Sequence, residues 1–241
     1  MPQANAQTPL VPLTAVNRLI ARLPQKERTR ITTQCEAVEL VVGDILCEAG
    51  EPFKSVYFPV TGIISLVKIL VGHEPLETEL IGNEGMLGVT LVLGVGSAPQ
   101  RGLVQGAGTA LRMQAPHLLE ILKSCPTARR ILNRYLYVVM LQLSQTAGCS
   151  RFHNLGPRLA RCLLMAHDRI HSNHFHLTHQ FLANMLGVQR GGVTIAAGIL
   201  QKKKIIRYSR GEITILNRQG LEAVSCECYQ SISDDYRRLF S

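Results

Sequence analysis

No stretch of this 241-residue chain approaches a membrane span, which takes roughly 18 or more consecutive uncharged apolar residues. The most apolar run, YLYVVMLQL, is too short to cross a bilayer, so no membrane partner is expected. The opening MPQANAQTPLVPL lacks the charged start and long apolar core of a signal peptide, and a cytoplasmic protein is expected. Catalytic signatures are missing too: there is no nucleophile elbow, phosphate loop or dinucleotide fingerprint. No catalytic residue is assigned, and an enzyme is not expected. Evenly paired cysteines are also lacking. Cys35, Cys47, Cys125, Cys149, Cys162, Cys226 and Cys228 are odd in number and scattered, so free thiols are the expectation. Only Cys226-Glu227-Cys228 is tightly set, and two ligands complete neither a zinc nor an iron–sulfur site. Neither a metal nor another cofactor is expected.

Acids are scarce in one part of the chain. Residues 1–150 hold 13 Lys/Arg against 11 Asp/Glu, whereas residues 151–241 hold 13 against 6, a net of +7. That asymmetry points to a polyanion partner for the C-terminal part, the alternative being a solvated basic face.

What is present falls into three textures. Residues 14 to about 23 and about 24 to 38 read as small amphipathic helices. From 38 to about 113 come short β-rich runs: VELVV, SVYFPV, GIISLVKILV, LETELIG and RGLVQGAGTALRM. Glycines at 82, 85, 88, 94, 96, 102, 106 and 108 suit tight corners, and the spacing suggests an antiparallel barrel or roll. From Pro116 the pattern is helical, with a short helix at 117–123 and a long one at about 126–150. Leu132, Leu136, Val139 and Leu143 form one apolar stripe on the long helix, the candidate dimer face, and Ile131, Tyr135 and Val138 form another. Tyr137, Met140 and Leu141 nearly close the circle. Such a helix is buried on more than one side, with one face on the roll and another on a partner subunit; the alternative is a helix wholly internal to one chain. Met86, Met113, Met140, Met165 and Met185 fall at apolar positions and are expected in the core. Asn154-Leu155-Gly156-Pro157 then reads as a hinge, followed by a helix over 158–170. The fold class is α+β, divided into residues 1–115, 116–153 and 154–241.

The segment LANMLGVQRGGVTIAAGILQ reads as two helices about a tight turn. Ala183 is small where the helices cross, and Gly187 suits a turn that needs positive φ. Leu182, Leu186, Val188 and Val193 supply the apolar set that locks the pair. Thr178 is the N-cap of the first helix, and its surroundings suit a phosphate. KKKIIRYSRGEITIL follows as strand, turn and strand, with Ser209 and Arg210 in the turn. Lys202, Lys203, Lys204, Arg207 and Arg210 lie together without an acid among them, where flanking phosphates would run. His167, His171, His174, His176 and His179 also crowd together, but their spacing matches no known ligand set.

LTHQFLANMLGVQRGGVTIAAGILQKKKIIRYSRGEITIL resembles the C-terminal domain of the Crp/Fnr family of bacterial transcription regulators. The likeness extends over nearly the whole chain. It implies a jelly-roll-like antiparallel β-roll sensor of cyclic-nucleotide-binding type, a long dimerisation helix and a winged helix-turn-helix. By that resemblance Gln189, Arg190 and Gly191 start the helix that enters the major groove, and Thr178, His179 and Gln180 occupy phosphate-contacting positions. Arg190 is the first choice for a base contact, since arginine pairs bidentately with guanine; a phosphate clamp is its alternative role. Thr194 joins Gln189 and Arg190 as a reader, because Gly191 and Gly192 have no side chains to read with. The implied partners are a pseudo-palindromic double-stranded DNA operator, a second copy of the chain, RNA polymerase as a candidate, and a small-molecule effector of unknown identity.

The departures are informative. Many members carry glutamate and arginine readers where this chain has Gly191 and Ile195, so its operator should differ from theirs. Members that bind cyclic AMP use a glycine-glutamate pair for the ribose and an arginine-serine pair for the phosphate. The nearest equivalents here are Gly88-Val89 and Gln100-Arg101, so the ribose carboxylate is missing and an effector other than cyclic AMP is expected. The N-terminal cysteine cluster of the oxygen-sensing branch is absent, and His73 is expected to be solvated rather than a haem ligand. Two other functions remain as alternatives. One is a constitutive DNA-binding protein whose roll is a dimer scaffold. The other is a cupin-type enzyme with an accessory winged helix, which the single roll histidine, His73, disfavours.

Overall fold

The computed structural model describes residues 17–240. Two short helices come first, α1 (Arg18–Ala21) and α2 (Gln25–Thr32); residues 14–16 of the first expected helix lie outside the described residues. Asn17 caps α1 by accepting from the Leu19 N–H at 3.0 Å, and it donates to the carbonyls of Pro59 and Gly85 at 2.9 and 2.8 Å. A buried amide so fully satisfied pins the helix to the sheet beneath it.

Seven strands follow: β1 (Glu36–Leu40), β2 (Ile45–Cys47), β3 (Ser55–Pro59), β4 (Ile63–Lys68), β5 (Leu76–Ile81), β6 (Arg101–Gly106) and β7 (Gly108–Gln114). They make two antiparallel sheets in the orders β1-β7-β3 and β2-β6-β4-β5, the roll that the glycine-punctuated pattern predicts. The run RGLVQGAGTALRM, continuous in its pattern, is in fact two strands in different sheets. The chain changes sheet at Gly106-Ala107-Gly108, where a Cβ on Gly108 would stand 2.5 Å from the Gly62 nitrogen. Only glycine permits that crossing.

Phe53, Val56, Phe58, Ile64, Met86, Leu87, Val104 and Met113 fill the roll and pack on α3 (Ala115–Ser124) and α4 (Pro126–Phe152). The stripe expected to face a partner subunit divides in two. Leu132 and Val139, 4% and 8% exposed, belong to the chain's own core, whereas Leu143 is 41% exposed and Leu136 half-buried. The apolar face left open by α4 therefore runs through Leu136, Tyr137, Met140 and Leu143, and Met140, at 60% exposed, is not a core residue. Periodicity reveals that two stripes exist but not which one the roll covers.

The second core is built from α5 (Leu155–Ile170), β8 (His174–His176), α6 (His179–Leu186), α7 (Arg190–Lys202), β9 (Ile206–Ser209), β10 (Glu212–Ile215) and α8 (Arg218–Val224). Pro157 sits in the first turn of α5, so the expected hinge segment lies mostly inside that helix, whose N-cap is Asn154. A third strand, β8, joins the expected hairpin in the order β8-β10-β9. The last helix, α9 (Cys228–Phe240), leaves this core and lies along α4. Its Tyr236 and Phe240 enter the core of the roll, and the Tyr236 hydroxyl donates to the Glu84 carbonyl at 3.0 Å. A buried ion pair, Arg169 with Glu84 at 2.8 Å, and an Arg169 bond to the Leu80 carbonyl at 3.1 Å join α5 to the roll.

On β5 one carboxylate is buried without a cation. Burial pushes the Glu77 pKa from 4.5 up to about 7, with the neighbouring Ser65 hydroxyl acting weakly the other way. The folded chain therefore holds this proton more tightly than the unfolded one, and stability falls as pH rises from about 4.5 through about 7. Glu77→Gln is expected to be more stable than the parent by roughly 1–3 kcal/mol at about pH 8 and to match it near pH 5. Thermal melts at the two pH values check this; an equal difference at both would contradict it.

Candidate nucleic-acid interface

The geometry of the helix pair starts at its turn. Thr178 caps α6 by accepting the Phe181 N–H at 3.1 Å, and its own O–H remains able to donate to a phosphate. The helix ends at Gly187, whose φ of +61° is strained for any residue with a Cβ. Its N–H and that of Val188 both return to the Ala183 carbonyl. From α5, the buried Arg158 guanidinium donates to the Leu186 carbonyl, covering another loose helix end.

That turn delivers α7 with one face down and one face out. Val193, Ala196, Ala197 and Leu200 are buried against α5 and α6. Gln189, Arg190, Gly191, Thr194 and Lys202 are exposed. So are Ile195 and Ile199, at 69% and 51%, which no candidate set from the sequence included. The signal was available: both lie on the helix face opposite the buried four. Exposed isoleucines of this kind are chemically suited to apolar contact, as with a thymine methyl group. The two glycines at the start of α7 differ in role. A Cβ on Gly192 would lie 3.0 Å from Leu155 Cδ2, so this position lets α7 approach α5 closely. A Cβ on Gly191 would meet nothing within 4 Å, and nothing within the fold requires glycine there.

Two candidate contacts turn inward. His179 is only 8% exposed, its ring stacked 3.9 Å from that of Tyr208 and its Nδ1 hydrogen-bonded to Thr194 Oγ1 at 2.9 Å. It ties α6, α7 and β9 together rather than offering itself to a phosphate, because the first turn of α6 presents this position to the interior. Burial, and then the nearby Arg190 charge, hold its pKa below the usual histidine value. The Thr194 hydroxyl is correspondingly engaged with His179 and with the Arg190 carbonyl, leaving its methyl group for outward contact. Gln180 remains exposed, its amide bonded to Asn184 Oδ1 at 3.0 Å.

Beyond α7, Arg210 and Gly211 both take positive φ, 51° and 91°, closing the β9–β10 hairpin in a two-residue turn that sets Ser209 and Arg210 at its exposed tip. Gln201 Oε1 accepts the Tyr208 N–H at 2.8 Å and fastens that wing to α7. The acids of this region are engaged elsewhere: Asp168 and Glu222 with Arg218, Glu212 with His174 and His176, Asp234 with Arg237, Asp235 with Arg238. Among the described residues, Arg190, Lys202, Lys203, Lys204, Arg207 and Arg210 form no ion pair, so their positive field is uncompensated on one surface. The crowded histidines do not converge on a common centre: His167 binds Asn173 and Arg218, His171 meets Asn83, and His174 and His176 share Glu212.

Residues 157–224 match the Crp-like helix-turn-helix domain family. That match and the curated relative below support a DNA-binding regulator of Crp/Fnr type. A global nitrogen regulator from Nostoc sp. is 25% identical over 177 residues, covering 69% of this chain and 78% of its own length. The FixK2 structure from Bradyrhizobium japonicum aligns at a TM-score of 0.67 with 15% identity, covering 80% of this chain and 98% of that one. CLP, the c-di-GMP responsive global regulator of Xanthomonas campestris, aligns at 0.64 with 13% identity over 80% and 99% of the two chains. The two structures share the fold. No helix among the described residues is long and apolar enough to cross a membrane.

In the roll the candidate effector residues lie on neighbouring segments. Gly88 has a φ of +93° and backs onto Val56, and Val89 opens a short 3-10 helix. Arg101 is paired with Glu48 at 2.9 Å, and the carbonyl of Gln100 accepts the Cys47 thiol.

Two variants test the interface. Arg190→Ala is expected to weaken binding to a specific site by roughly 1–3 kcal/mol with thermal stability unchanged. Unaltered sequence preference in a competition assay would mean that the readers lie elsewhere. Lys203→Ala is expected to weaken all DNA alike and to lower the slope of log affinity against log salt by about one. Lost preference at an unchanged slope would contradict a phosphate-contacting role.

Proposed function

We propose that this chain regulates transcription as a homodimer that reads a pseudo-palindromic operator, and that its signal is not cyclic AMP. The observation that carries the DNA reading is the outward face of α7 and its wing. Gln189, Arg190, Ile195 and Ile199 stand exposed there beside cations with no acid to neutralise them. Dimerisation is supported by the open face of α4. Leu136, Met140, Leu143 and Ala147 follow the four-three spacing of a coiled-coil seam, with Tyr137 beside it. Two copies joined along that seam would present two α7 helices about 34 Å apart, in successive major grooves of one face of a duplex. We assign no catalytic step to the chain, and RNA polymerase is its expected partner at a promoter.

The effector reading rests on the roll. Val89 leaves no carboxylate for a ribose, and the Arg101 guanidinium that would meet a cyclic phosphate is held by Glu48. One observation favours a second reading, in which the roll is a dimer scaffold alone: Phe53, Val56, Ile64, Met86, Leu87 and Val104 are buried together inside it. A small molecule that raises melting temperature and changes DNA affinity together would decide for a sensor.

Met140→Glu is expected to yield a folded monomer in sedimentation velocity, because a charge placed in the seam must be desolvated on pairing. Operator affinity should then fall by on the order of a hundredfold, since one half-site loses the help of the other. A dimer that survives this change would put the interface elsewhere.

A further inference from the structure

The fold assembles a set of ligands that the sequence does not advertise. Cys149 lies in the last turn of α4 and His153 just past its end, while Cys226 and Cys228 bracket the link from α8 to α9. Their four candidate ligand atoms all lie within 4.8 Å of one another, so the Cys226/Cys228 pair, two ligands when read alone, is half of a set of four. We propose that Cys149, His153, Cys226 and Cys228 bind a single zinc-class divalent cation, which clasps the end of α4 to the α8–α9 link.

The distances suit one tetrahedral ion. Ideal zinc bond lengths put two thiolate ligands about 3.8 Å apart and a thiolate and an imidazole nitrogen about 3.5 Å apart. Here Cys149 Sγ and Cys226 Sγ are 3.6 Å apart, and Cys228 Sγ and His153 Nδ1 are 3.4 Å apart. The surroundings fit as well. The Glu227 carboxylate meets His153 Nε2 at 3.0 Å, which fixes the ring and leaves Nδ1 facing the sulfurs, the usual outer partner of a metal-bound histidine. The Gln145 amide donates to Cys228 Sγ at 3.0 Å. Buried Arg161, bonded to Thr146 on α4 at 3.5 Å, brings positive charge to the corner where three thiolates would leave a net negative complex. The three sulfurs form a small cluster shielded from water, and the histidine occupies the partly open side. Binding would displace three thiol protons to solvent and involve no change in oxidation state.

The position gives the site a regulatory meaning, which rests on the DNA-binding reading above. Asn154, directly after His153, stands at the N-cap position of α5, the first helix of the domain that carries α7. Bound metal would hold three parts in one arrangement: the end of the dimer helix, the last helix of the DNA-binding domain and α9. Loss of metal would free the end of α4 from the α8–α9 link, leaving the Arg169–Glu84 pair and α9 to hold the halves together.

The test uses the full chain, purified under reducing conditions with zinc supplied and then dialysed. One equivalent of zinc per chain by mass spectrometry is expected, and cobalt loaded in its place should show the visible bands of a tetrahedral thiolate site. Cys228→Ser and Cys149→Ser should lose the metal, Cys35→Ser should keep it, and Glu227→Gln should weaken it by roughly 10- to 100-fold. Should the serine variants not fold, zinc content and the cobalt spectrum of the parent decide alone. Sub-stoichiometric zinc, an octahedral cobalt spectrum, or a Cys149–Cys226 disulfide in place of metal would overturn the site. Chelation should reduce operator affinity by roughly tenfold or more; full zinc occupancy with affinity unchanged on chelation overturns the coupling. Absence of any DNA binding by the zinc-loaded chain would instead count against the regulator reading.

Discussion

The exposed chemistry of the C-terminal domain depends on the burial of one side of a thirteen-residue helix. Val193, Ala196, Ala197 and Leu200 take the inner face of α7, and small alanines there let it lie close to its neighbours. Burying Val193 and Leu200 contributes about 1.5–3 kcal/mol each, more than the roughly 1 kcal/mol that each glycine costs a helix. The helix can therefore begin with Gly191 and Gly192 and still form. Once the inner face is committed, Gln189, Arg190, Ile195 and Ile199 have no choice but to face outward. The left-handed Gly187 and the Arg158 bond to Leu186 set where that outward face begins.

The same logic governs how the two halves are joined. Helix α4 serves two masters: Leu132, Val138 and Val139 belong to the roll, and the adjoining stripe through Met140 stays open. Helix α9 then returns from the DNA-binding domain to lie on α4, and the buried Arg169–Glu84 pair crosses the junction a second time. Breaking a buried pair by removing one partner strands a charge in a poor solvent, so this contact favours a defined arrangement of the halves. A ligand set at the end of α4 would act on that same junction.

Legibility in the sequence followed the range of the interactions involved. The helix-turn-helix was readable because its determinants are local: a positive-φ glycine four residues after a small alanine, with apolar residues at helical spacing. The roll was readable as a texture, but β2 and β8 are three residues each and too short to show a period. Two sheets sharing RGLVQGAGTALRM became visible only through contacts at Gly62 and Gly108. The family resemblance implied a phosphate contact for His179. Only the packing of Tyr208 and Thr194 on its ring shows that it is an internal tie. The proximity of Cys149 to Cys226, 77 residues later, is likewise a property of the fold and not of spacing.

Two outward-facing α7 helices, held by an α4–α4 seam, are proposed to read one symmetric DNA site. Selection of binding sites from random duplex DNA at fixed salt, using the full chain, tests it most directly. Enrichment of a two-fold-related motif whose half-sites are centred about one helical turn apart is expected. Enrichment of a single unsymmetric half-site, or none above background, would contradict it.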